Sequence, residues 1–245
     1  MNFWQLFHRA SKDLSDAGRV HIPKRFDEWP DAWKRAEYKV YPRSTHVPIP
    51  KGVGTDFIQR LLARRSVHSF EPSGISLGAL GGMFRAACGE TGMVEGRAAR
   101  AQPSGGGLYP IEMYALVFRS SDDLSAGVYH YAPGLDVLEI IQVRDFSEEE
   151  IDKLFVYPWI KNASGVVIMT AVFQRTMQKY GHRGYRFALL EAGHIGQNIY
   201  LAAPEFGLGC CAMGGTRDEI VEVLIGVDGV TEALVHGVVI GIPKR

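Results

Sequence analysis

Cysteine is scarce in this chain: Cys88, Cys210 and Cys211 are its three in 245 residues. The odd count, without a C-x-x-C pair or a suitably spaced histidine, argues against a disulfide framework and a tetrahedral metal site; buried, reduced thiols are expected. Net charge is also lacking, with 27 basic and 27 acidic residues. No global field draws the chain to nucleic acid or an anionic membrane, so an anionic ligand needs a local site. Long apolar runs are missing too. Gly165 to Phe173 and Ala233 to Ile242 span about ten residues each, rich in Val and Ile, too short for a bilayer and suited to buried strands. The opening Met1 to Lys12 contains Arg9 and Lys12 and is followed by no small-residue cleavage site, so a cytoplasmic protein is expected. Neither G-x-G-x-x-G nor a P-loop occurs, which removes support for a dinucleotide fold.

What is present suits a globular protein: 46% of residues are hydrophobic and 22% charged. At this length roughly 70 to 75% of the unfolded surface can be buried. Phe3, Trp4, Leu6, Phe7 and Ala10 mark a short amphipathic helix, after which Pro23, Pro30, Pro42, Pro48 and Pro50 interrupt any regular pattern. Residues 1–54 therefore read as an N-terminal helix and Pro-rich arm, and residues 55–245 as the main domain. Thr55 and Ser76 can cap two helices ahead of the first strand. Strands are expected at 111–118, 127–131, 137–143, 165–173 and 233–242. Capping boxes are expected at Ser147 with Glu150 and at Thr216 with Glu219. The longest helix should be Gly184 to Ala203, ended or kinked by Pro204; its small residues suit close helix contact in a core or dimer interface. Without a βαβ repeat, the class is α+β: a mostly antiparallel sheet sandwiched by helices.

Three segments carry candidate chemistry. Arg64-Arg65-Ser66-Val67-His68-Ser69-Phe70 offers two planar guanidiniums beside a hydroxyl, suited to a phosphate or a flavin's pyrimidine edge, or else to a solvated helix end. Pro103-Ser104-Gly105-Gly106-Gly107-Leu108-Tyr109-Pro110 lets backbone N–H groups approach a ligand, unless it is a plain surface loop. Gly207 to Gly215 reads as a short strand ending at Gly214-Gly215 beside a helix start, a place for an anion or a ring nitrogen, or a turn that needs positive φ. These segments, with the run from Lys179 to Ala203, resemble the SagB/ThcOx-type dehydrogenases. That branch of the nitroreductase superfamily includes azoline oxidases of peptide natural-product pathways. The resemblance covers roughly residues 55 to 245, and the start Phe7 to Lys12 is similar to that branch's N-terminal arm.

The resemblance implies a nitroreductase-like homodimer with FMN at the interface. Arg64, Arg65 and Ser66 would contact FMN, with His68 where Arg or Lys is usual. Pro103, Ser104, Gly105, Gly106 and Gly107 would line the flavin from the partner subunit. Met213, Gly214 and Gly215 would run past the isoalloxazine, and Lys244 and Arg245 would reach the phosphate. Lys179 and Tyr180 match the Lys-Tyr pair that azoline-oxidising members use catalytically. Proton removal beside a hydride transfer needs a base, which either residue can supply; the bland reading is an exposed lysine and a half-buried tyrosine. Glu191 and His194 read as structural, His194 as a satisfied core residue, and Cys210 and Cys211 as small core residues. The implied activity is FMN-dependent oxidation of thiazoline or oxazoline rings in a peptide-like substrate, with oxygen reoxidising the flavin and biosynthetic partner proteins possible. A NAD(P)H-dependent nitro or quinone reductase, or a flavin-free scaffold subunit, is the alternative.

Overall fold

The computed structural model describes residues 2–12, 26–34, 36, 38–50, 52 and 54–244. The chain forms two compact units, residues 15–62 and a larger unit made of 1–14 with 63–245. Helix α1 (Phe3–Ser11) opens the larger unit, with a capping box between Asn2 and Gln5. The smaller unit holds α2 (Asp31–Lys34), where Trp29 and Trp33 meet edge to face at 6.3 Å. Residues 38–50 carry neither helix nor strand, as their prolines lead one to expect. Helix α3 (Asp56–Ala63) follows, its first turn closed by Gln59 N–H donating to the Thr55 carbonyl.

A two-residue strand β1 (Phe70–Glu71) then precedes α4 (Leu77–Cys88), so the second helix does not come before the first strand as expected. β1 has no periodicity of its own; it exists because it pairs with the far end of the chain. Ser76 caps α4 by accepting from Ala79 N–H at 3.1 Å. A hairpin, β2 (Glu90–Val94) and β3 (Arg97–Arg100), turns at Glu95 and Gly96, both at positive φ. Next come β4 (Ile111–Val117), β5 (Gly127–Ala132) and β6 (Val137–Val143). The expected capping box of Ser147 and Glu150 starts α5 (Glu148–Leu154). Then follow β7 (Gly165–Val172), α6 (Gln174–Tyr180), α7 (Arg183–Ala202), β8 (Gly209–Met213), α8 (Asp218–Ile225) and β9 (Glu232–Pro243). Pro204 sits in the 3-10 turn that follows α7.

The main sheet runs β1-β9-β7-β4-β5-β6, with β8 also on β9, and every pair is antiparallel. Alternation along β4 sends Met113, Ala115 and Val117 to one core, with Phe84, Ala188 and Ile195 of α4 and α7. Tyr114 and Leu116 go to the other core, with Ile151, Leu154, Val221 and Ile225 of α5 and α8. Helices thus cover both faces, the α+β sandwich expected. β7, buried along almost its whole length, needs an apolar residue at nearly every position.

Helix α8 departs from expectation. Thr216 is held extended by a bridge to Phe155, and its hydroxyl donates to the Asp218 carboxylate instead of accepting from a backbone N–H; Arg217 occupies the cap position. The Thr216–Glu219 capping box is therefore not formed.

Docking of α1 is specific. Trp4 packs on Phe173 at 4.8 Å, and His8 Nδ1 shares a 3.2 Å hydrogen bond with the Tyr185 hydroxyl. Lys12 Nζ donates to both Glu222 oxygens, at 2.7 and 2.8 Å, and to the Gly229 carbonyl at 2.7 Å. With both partners of that ion pair buried, removing either would strand a charge.

Candidate functional site

The sequence segments assemble into two groups, set by α7. The first group is the glycine loop. Gly105–Gly107 forms one 3-10 turn with Gly106 at φ +70. A Cβ on Gly106 would lie 2.4 Å from Tyr180 Oη and 2.9 Å from Lys179 Nζ, so the catalytic candidates reach directly over the loop. Lys179 Nζ lies 5.2 Å from the Tyr180 ring centroid, and that ring meets Phe187 of α7 edge-on at 5.0 Å. Lys179 is exposed and Tyr180 half-buried.

The loop is held from several sides. Ser104 Oγ accepts from Tyr109 N–H at 2.9 Å, and Arg97 donates to the Gly106 carbonyl at 3.1 Å. Arg100 lies 4.8 Å over the Tyr109 ring, and Arg175 donates to the Tyr109 carbonyl at 3.0 Å. Beneath it, buried Gln102 donates to buried Glu191 at 3.2 Å; burial raises the Glu191 carboxyl above the ordinary range. Glu191 is buried on this flank of α7.

The second group surrounds β8. Val67 N–H donates to the Cys210 carbonyl at 3.0 Å, which lays the Arg64–Ser69 stretch along the strand. Tyr200, near the end of α7, is the hub: its hydroxyl bonds Ser66 Oγ at 2.9 Å, accepts from Ala212 N–H at 2.8 Å, and its ring carries the Arg64 guanidinium at 5.1 Å. Arg65 donates to the Arg64 carbonyl. His68 Nε2 sits 3.3 Å from Cys211 Sγ, with its ring edge-on to Trp159. Burial raises both thiols, Cys210 to about 12, so both remain protonated core residues. Lys244 N–H donates to the Ser69 carbonyl at 3.0 Å, which brings the C-terminus to this group. Arg245 lies outside the described residues. Gly214 is exposed, and nothing lies within 4 Å of the place a Cβ would take; Gly215 is packed against Val156 and Tyr157.

A cavity of about 260 Å³ opens beside Gly214, lined also by Met213, His236, Tyr185 and, from α1, His8 and Ser11. Burial, then the nearby Lys12 charge, lowers the His8 imidazole to about 4.

At 100° per residue, Phe187 and Glu191 point to the loop flank of α7, while Tyr185, Leu189, Gly196 and Tyr200 point to the β8 flank. Between the flanks runs an exposed stripe of Arg186, Leu190, Gly193, His194 and Gln197. His194 is on that stripe, not in the core as expected, because the helix face it shares with Leu190 has no covering element among the described residues. Sequence reasoning missed Tyr200, Arg175, the hairpin arginines and the α1 wall. The tyrosine was inside the recognised Lys179 to Ala203 run; the others had no local signal.

An isoalloxazine with a phosphate tail needs flat, open backbone donors at one end and cations at the other. The exposed Gly214 backbone offers the first, and the Arg64 guanidinium with the Ser66 hydroxyl the second, a donor set whose chemistry fits such a ligand.

The nitroreductase family signature matches residues 61–242. A protein of Methanocaldococcus jannaschii whose name assigns it to the nitroreductases is 35% identical over 165 residues, 67% of this chain and 81% of that one. The Microcin B17-processing protein McbC of Escherichia coli is 31% identical over 148 residues, 56% of this chain; the chain spans about half of McbC (52%). The E. coli microcin synthetase McbBCD complex, solved with truncated pro-MccB17 bound, contains a chain that superposes with TM-score 0.77 at 21% identity, covering 98% of this chain and 92% of that one. The chain belongs to the nitroreductase family. Its fold is the nitroreductase-like α+β fold, and among its described residues no helix is long and apolar enough to cross a membrane.

Proposed function

We propose that this protein is an FMN-dependent dehydrogenase that oxidises an azoline ring, or a similar C–N unit, in a peptide-like substrate. The observation that carries the reading is the Lys179–Tyr180 pair set over Gly106. Aromatising a thiazoline removes one hydride and one proton from neighbouring ring atoms. A bound FMN would supply the hydride acceptor there, with oxygen as its reoxidant. Lys179 Nζ or Tyr180 Oη would take the proton, and the bare Gly106 lets both side chains close over the loop. Arg64, Ser66 and Lys244 would hold the phosphate and Gly214 the ring edge. The similarity to McbC, which processes microcin B17, supports the substrate class and partner proteins in a biosynthetic complex.

The two groups sit on opposite flanks of α7, so one chain presents two halves that do not face each other. In the homodimer proposed here, two copies paired across the exposed stripe, where Gly193 has open space, would bring the loop of one copy toward Gly214 of the other. On this reading the site would be shared between two copies.

The test is aerobic incubation of the FMN-loaded protein with a thiazoline amide, read by mass. Loss of two hydrogens is expected. A flavin bleached rapidly by NADPH with no thiazoline oxidised would replace this reading with a nitro or quinone reductase. Failure to retain flavin after reconstitution would leave a scaffold.

A further inference from the structure

Arg175 lies one helical turn before Lys179, on the same side of α6. Its guanidinium divides between two acceptors: Nη1 donates to the Tyr109 carbonyl at 3.0 Å, and Nη2 pairs with Glu112 Oε1 at 2.5 Å. Glu112 belongs to β4 and is itself fixed, because its other oxygen meets His130 Nε2 at 3.2 Å, whose Nδ1 meets Glu139 at 2.7 Å. Tyr109, the residue Arg175 grips, has φ +44, a region a side-chain-bearing residue leaves unless held. Helix α6 has seven residues, too few to be stable without anchors.

We propose that Arg175 is a positioning residue, tying the strained end of the glycine loop to the helix that bears Lys179 and so setting the height of the Lys179–Tyr180 pair above Gly106. The inference rests on the catalytic reading of that pair. A planar fork is required, since one donor must serve the carboxylate while another serves the carbonyl; a lysine ammonium on a flexible stem replaces one contact and loses the fixed angle between them. Without the grip, Tyr109 relaxes toward negative φ and Gly106 shifts beneath the pair, at no cost to groups around Arg64 and Gly214.

The test compares wild type with Arg175→Ala and Arg175→Lys in the FMN-loaded full chain, by thiazoline turnover and by amide hydrogen exchange. Arg175→Ala should lower kcat by about ten- to a hundredfold with KM changed less than about threefold, since sub-ångström misplacement acts on the reacting geometry. Added guanidinium, at low millimolar concentration, should restore part of the kcat of Arg175→Ala and none for Lys179→Ala. Exchange at Gly105–Tyr109 should quicken by about tenfold or more in Arg175→Ala, with β4 and α7 amides unchanged. If Arg175→Ala fails to fold, Arg175→Lys should show the same loop-confined exchange. Loop exchange equal to wild type in a folded variant overturns the proposal, as does kcat that guanidinium cannot restore. A wild type that never oxidises thiazoline overturns the functional reading instead, and the exchange data still decide the role of Arg175.

Discussion

The two glycine-bearing halves of the site are built in opposite ways. Around Gly106 the chain has filled every side: Tyr180, Lys179, Arg97, Ser104 and Arg175 close on three consecutive glycines, one of them with no room for a methyl group. Around Gly214 it has left space, with the backbone exposed, while Tyr200, bonded to Ala212 N–H two residues earlier, carries Arg64 on its ring. On the proposed reading, the clamped half would hold the reacting groups at fixed height and the open half would receive the ligand.

The largest expected effect tests which half does the chemistry. Lys179→Ala should cut thiazoline turnover by about 10²- to 10⁴-fold while flavin is retained, and Arg64→Ala should cut turnover by losing flavin. Mixed and re-equilibrated as dimers, the two inactive variants should recover about a quarter of wild-type activity, because half the dimers are mixed and each has one intact site. No recovery would mean the halves act within one chain.

Substitution of the glycines themselves sharpens the contrast. Gly106→Ala places a methyl group against Tyr180 Oη at a φ that disfavours it, and should cost about 1–3 kcal/mol in a urea titration. Gly214→Ala meets nothing, and should change stability by less than about 0.5 kcal/mol while weakening FMN binding. Equal stability losses would erase the distinction between clamped and open.

Legibility followed the range of the interaction. Ser76 and Ser147 caps, the apolar run of β7 and the long α7 depend on neighbours within a few residues, and they were readable. β1 and the Thr216 cap were not, since each is decided by a partner strand or bridge far away in sequence. Family motifs gave the residues of both halves, and they cluster. That Lys179 and Tyr180 stand over Gly106, more than seventy positions earlier, required the fold, as did the roles of Arg175 and Tyr200. The α1 helix was legible as a helix, but nothing local announced that His8 and Ser11 line the cavity at Gly214.

Two histidines give the smallest and most discriminating test, because the halves should soften at opposite ends of the pH scale. His130, bracing Arg175 through Glu112, has its pKa raised by its hydrogen bond to Glu112 and then to Glu139; Tyr114 packs on its ring. A raised folded value means its contribution is complete below the unfolded value near 6.5 and fades as pH climbs through the folded one. His8, between Tyr185 and Lys12 beside the Gly214 cavity, is lowered to about 4, so its contribution is complete above 6.5 and fades as pH falls toward 4. Each slope is bounded by about 1.4 kcal/mol per pH unit, and solvent reaching His130 makes its own shallower. Amide exchange corrected for intrinsic pH dependence should show residues 103–109 loosening above neutrality and α1 loosening in acid. His130→Gln should flatten the first trend alone and His8→Phe the second alone. Trends of the same sign would show that the two halves share one unfolding event, and the comparison between them would fail.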